Sequence, residues 1–156
     1  MKYKRLSKEQ FEELHQEFIN FLSTQSITAD EWQNIKEETP EVAEQELDVF
    51  SDLVWEGVLT HARYLENISP QHLYLFELNS EDIRLIGLKI SEDSVDITTA
   101  EGYEWLRENL LDDRVEIFQG KKAYSEDILL DRFGLIEQGA IITKGELFRY
   151  FDQLVG

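Results

Sequence analysis

The sequence predicts an α+β fold in which N-terminal helices are packed with a small, mostly antiparallel sheet and C-terminal helices. Three observations carry that prediction. Four Ser or Thr residues stand three places before a Glu or Gln, the spacing at which side chain and backbone cap a helix reciprocally. Apolar residues recur at helical spacing as far as about position 62. After Pro70 the pattern changes to short runs rich in Leu, Ile, Tyr and Phe, broken by turn residues. At 156 residues the length suits one domain burying roughly 70% of its unfolded surface. The chain therefore reads as a single domain, 1–156, with a helical part over about 7–63 and a mixed part over about 72–156.

Ser7 with Gln10 forms the first box, and Leu6 with Phe11 adds the apolar staple that fixes the entry angle. A helix over 8–23 follows, with Phe11, Leu14, Phe18, Phe21 and Leu22 on one arc. Thr28 with Glu31, stapled by Ile27 and Trp32, opens a short helix at Ala29. It ends near Glu38, because Pro40 disfavours helical backbone at Thr39. Thr39 then caps a long helix over about 40–62, with Pro40 first, where a missing N–H costs nothing. Its core side should hold Val42, Ala43, Leu47, Phe50, Leu53, Val54 and Val58.

Beyond Pro70, the runs 72–78 and 83–90 flank Asn79, Ser80, Glu81 and Asp82 and read as a hairpin. A short strand over 95–97 precedes a helix over 99–111 opened by the box Thr98 with Glu101. Residues 115–118 form a strand ended by a turn at 120–122, and 125–133 form a short helix. An extended piece at 140–142 leads to the last box, Thr143 with Glu146, stapled by Ile142 and Leu147. That box opens a final helix at Lys144, using Leu147, Phe151 and Leu154.

Against 33 acidic residues stand 15 basic ones, a net charge of −18. Such a surface repels phosphate backbones and anionic bilayers, so neither nucleic acid nor membrane is an expected partner. With no cysteine, disulfides, thiolate nucleophiles and cysteine-ligated metals are excluded. No run approaches eighteen apolar residues, and Glu9, Glu12 and Glu13 follow the basic start at once, which points to the cytoplasm.

Neither a Gly-x-Ser-x-Gly elbow nor a phosphate-binding glycine loop occurs. Glu12 and His15 have the spacing of half a di-iron motif, but no second copy exists, so they read as surface residues. Among 33 acids, close pairs such as Asp112 and Asp113 arise by chance. No catalytic, cofactor-binding or metal-ligating residue is assigned, and no cofactor is expected.

The long helix carries what remains. Glu46 projects into its apolar stripe and needs either solvent or a donor. On the opposite side Trp55 and Leu59 lie among Glu41, Glu44, Asp48 and Asp52. An all-solvent face would not hold them, so a second layer of the protein or a partner covers them. Glu44, Asp48, Asp52, Trp55 and Leu59 form the candidate partner site, an apolar centre ringed by acids that suits a basic protein.

The segments MKYKRLSKEQFEELH, SITADEW, PEVAEQELDVFSDLVWEGVL and ITKGELFRYF make the chain resemble, over nearly its whole length, a family of small acidic bacterial proteins of unknown function. The resemblance implies a free-standing intracellular bacterial protein and brings no catalytic residue. The function expected is therefore a non-catalytic protein-interaction or regulatory protein that binds a basic partner, its oligomeric state open. The alternatives are a carboxylate-based, metal-dependent enzyme and an acidic inhibitor mimicking nucleic acid.

Overall fold

The computed structural model describes residues 1–155 and divides into two compact units, the first Met1–Thr60 and the second beginning at His61. Its architecture is α+β, with seven helices and one five-stranded antiparallel sheet among the described residues.

The first unit is helical: α1 Lys8–Glu13, α2 His15–Thr24, α3 Ala29–Glu38, and α4 Pro40–His61, whose last residue opens the second unit. Ser7 and Gln10 form the reciprocal box, and the Thr28 hydroxyl accepts the Glu31 N–H at 3.2 Å. The single helix expected over 8–23 is instead two, broken by a turn at Leu14. The break lets both pieces follow the same core, since rings from both reach Phe50: Phe11 at 6.0 Å, Phe18 at 5.0 Å and Phe21 at 5.4 Å between centroids. Thr39 precedes α4, but its hydroxyl donates backward to the Ile35 carbonyl and so closes α3 instead of capping α4.

The expected core side of α4 also needs correction. Ala43, Leu47, Phe50 and Val54 face the core along one narrow arc, whereas Val42, Leu53 and Val58 are exposed. Three short helical neighbours offer α4 less apolar surface than its own stripe can fill.

In the second unit the strands are β1 Tyr64–Ser69, β2 His72–Leu78, β3 Asp82–Ile90, β4 Val115–Ala123 and β5 Ile141–Thr143, in the order β4-β3-β2-β1-β5. The β2–β3 hairpin matches the sequence reading, and β1, paired with β2 across the tight Pro70–Gln71 turn, is an addition to it. Leu73 opposes Leu88 and Leu75 opposes Ile86; that face is packed with Leu106 of α5 (Ala100–Glu108) and Phe148 and Phe151 of α7 (Glu146–Val155). Leu65 and Leu78 point the other way, toward Leu135 and Ile136 of α6 (Ile128–Glu137).

Several local expectations fail here, among them the helix over 125–133, which instead is capped by Asp127 and runs to Glu137. Residues 95–97 form no strand, because Val95 and Ile97 are buried in a loop tied to the β1–β2 turn, with Ile97 N–H on the Pro70 carbonyl at 3.0 Å. The cap of α5 is Thr99, whose hydroxyl accepts the Gly102 N–H, while Thr98 is held by Asp96. The strand β4 runs through 120–122 because pairing with β3 continues, Gly120 opposite Leu85 and Lys122 opposite Ile83. Thr143 ends β5, and its hydroxyl accepts the Gly145 N–H, so α7 begins at Glu146 instead of Lys144. The staple fails with it, since Ile142 is exposed. Thr28→Ala should therefore cost about 1 kcal/mol, and Thr143→Ala clearly less; urea midpoints that move equally would contradict the assignment.

Hydrogen bonds and ion pairs to three carboxylates of the second unit shape its acid response. Arg114 holds Asp112 well below the usual carboxylate range; Ser94, then Arg114, lower Glu92; and Asn79, then Lys121, lower Asp82. A carboxyl whose pKa falls on folding stabilises above its unfolded value, and that contribution disappears as pH drops through the folded one. Melting temperature should thus not fall between pH 7 and 5 but should fall below about pH 4. A decline already at pH 6 would show that other groups dominate.

Candidate functional site

Positions 44, 48, 52, 55 and 59 fall on one side of α4 by helical spacing. The structure lays residues 2–6 along most of that side. Asp52 accepts two consecutive backbone N–H groups, from Lys2 at 2.7 Å and Tyr3 at 2.9 Å, one on each carboxylate oxygen. The Trp55 indole N–H donates to the Lys4 carbonyl at 3.0 Å. Arg5 reaches Asp48 with Nε at 2.8 Å and pairs with Glu44, while Lys2 Nζ lies 3.7 Å from Glu56.

Leu6 anchors this strap. Its side chain is buried with Phe18, Leu22 and Phe50, and its N–H donates to the fully buried Ser51 hydroxyl at 3.1 Å. Ser51 in turn donates to the Leu47 carbonyl at 2.7 Å, so every polar atom of the hydroxyl is used. Magnitudes rank these contacts. Burying a leucine contributes about 1.5–3 kcal/mol, whereas a half-exposed ion pair such as Arg5 with Asp48 contributes roughly 0.2–1 kcal/mol. Leu6 holds the strap; the charges set its alignment.

Three cations of the strap, Lys2, Lys4 and Arg5, thus lie along the face that carries Glu44, Asp48, Asp52 and Glu56. Burial, then the neighbouring Glu56 carboxylate, raises the Tyr3 phenol above its ordinary pKa. Glu44, Asp48, Asp52 and Trp55 are therefore brought together around one segment of this chain. Leu59 is not part of that surface, because it is wholly buried. Glu46 is half-buried and accepts from the Gln25 side-chain amide at 2.8 Å, the donor that its position required.

The sequence reading missed Arg5, Leu6 and Ser51 as members of this site. A signal for them existed: a basic segment ending in leucine, in a chain with one long acidic helix face in need of a cover. Elsewhere, Glu12 and His15 are exposed. Among the described residues no group of three or more His, Asp or Glu is placed to hold a metal ion, and no helix is long and apolar enough to cross a membrane.

Residues 1–156 match the model of a family of unknown function, DUF6495. No curated protein and no solved structure matches the chain.

Proposed function

Since the chain belongs to this family of unknown function, we propose from its own geometry that it is a non-catalytic interaction protein whose acidic α4 face binds an extended basic segment of a partner protein. The carrying observation is that the face already holds such a segment: Asp52 on two backbone N–H groups, Trp55 on a carbonyl, Asp48 and Glu44 on an arginine. Three of those hydrogen bonds read backbone and the others read positive charge, so a partner needs an extended stretch that carries an arginine.

The strap is then a competing ligand. If it occupies the face about 99% of the time, a partner's apparent affinity is reduced about 100-fold, and anything that frees the strap restores it. The proposed setting is a bacterial cytoplasm, where a chain without cysteine forgoes nothing by lacking disulfides.

A chain shortened by residues 1–5, which keeps Leu6, should bind a peptide of sequence MKYKRLSK saturably, read as a shift of the Trp55 indole N–H resonance. Asp48→Asn with Asp52→Asn should weaken that binding at least tenfold, and a peptide with glutamates at its basic positions should not bind. A folded, shortened chain that ignores the basic peptide would sink the proposal. Should the shortened chain fail to fold, the same peptide in excess over the full chain serves instead: displacement must shift Trp55, and an unmoved Trp55 counts against the reading.

A further inference from the structure

A groove of about 850 Å³ lies wholly within the helical unit, beside the strap but not on the acidic face of α4. Its wall is apolar and aromatic, formed by Phe11, Phe18, Leu22, Ile27 and Trp32. The groove exists because α3 packs incompletely. That helix has ten residues and none is fully buried, and its main inward contact is the Trp32 ring standing edge-on to Phe18 at 5.3 Å.

Charge around this groove runs opposite to the overall balance of its unit. The unit of residues 1–60 holds fourteen acids and five bases. Three of those five bases, Arg5, Lys8 and Lys36, line the groove together with His15, against one acid, Glu12. Arg5 is engaged by Asp48 and Glu44, but Lys8 and Lys36 make no ion pair with any described residue. Lys36 lies over the Trp32 ring at 5.9 Å, which sets an ammonium directly at the edge of the apolar wall.

An apolar concavity of this size, with a few convergent polar groups, is the usual form of a small-molecule site. Two lysines without an ion pair among the described residues, set beside an apolar wall, favour an anion over a cation there. We infer that the groove binds a small amphipathic anion, an apolar body carrying one carboxylate or comparable acidic head, with the body against Trp32 and Phe18 and the head at the basic rim. The inference goes beyond the α4 reading and does not need it.

The probe is decanoate, titrated into the full chain and followed by the Trp32 indole N–H resonance. Saturable binding is expected, tightening about fourfold per added methylene from octanoate to dodecanoate as more apolar surface is buried. Lys8→Glu combined with Lys36→Glu should weaken decanoate at least tenfold, whereas Lys8→Arg with Lys36→Arg should retain it. Decyltrimethylammonium should bind at least tenfold more weakly than decanoate. The inference is overturned by no saturable shift up to about 1 mM, by equal binding of the cationic surfactant, or by a charge-reversed protein that binds as the original does. Failure here reads on Trp32 and failure of the α4 proposal reads on Trp55, so the two outcomes are distinguishable.

Discussion

Phe50→Ala should remove about 3–5 kcal/mol from the unfolding free energy of the helical unit, the larger of the two mutational effects expected of this protein. Phe50 is buried, and rings from α1 and α2 converge on it from three directions. Truncation removes its own transfer energy and leaves a cavity that Phe11, Phe18 and Phe21 cannot all relax into, because each is also held by its own helix. A Trp105→Phe background leaves Trp32 and Trp55 as the fluorescent reporters, both in this unit, so urea unfolding there reads the unit alone. A loss under about 1 kcal/mol would mean that the cluster collapses around the gap and that Phe50 is not its centre.

Gly102→Ala should destabilise the sheet-containing unit by about 2–3 kcal/mol. Two effects oppose each other. Alanine is the better helix former by about 1 kcal/mol, and on propensity alone the change would help α5. A β-carbon at 102 would, however, stand 1.7 Å from the Asp96 carbonyl oxygen and 2.3 Å from its carbon, both backbone atoms. The loop cannot yield, since Val95 and Ile97 on either side of Asp96 are buried and Ile97 is bonded to the β1–β2 turn. The steric term wins. Gly134 in α6 provides the control, with nothing within 4 Å of an added β-carbon, so Gly134→Ala should show the propensity gain by itself. If Gly102→Ala melted no lower than the parent, the close approach of α5 to that loop would be wrong.

What was legible in the sequence was local. The span of α3 follows from Thr28 at one end and Pro40 beyond the other, and the β2–β3 hairpin from a polar turn between two apolar runs. The strand β1 escaped notice because Tyr64–Ser69 mixes Glu66 and Asn67 with its apolar residues and becomes a strand by pairing on both sides, with β2 and with β5. Thr143 satisfied every local rule for a cap and still ended a strand, because β1 claims its backbone at Tyr64. The candidate surface was half legible. Its acids and Trp55 were found by helical spacing, but the strap that meets them lies some 40 to 50 positions earlier in the chain, and spacing carries no information about which distant segment complements a face.

Pairing of β1 with β5 joins Tyr64 to Thr143, about eighty positions apart, whereas β1, β2 and β3 are joined by short turns. On a ribosome the three-stranded meander can therefore close early, through contacts of low contact order, while the outer edge of β1 stays open until β5 emerges. During that interval the exposed edge is a template for any other extended segment. Its closure is delegated to three residues, two of which, Ile141 and Ile142, remain exposed in the finished sheet. The edge of β1 is thus open for as long as residues 141–143 take to follow it, and a slower delivery of those three residues lengthens that interval.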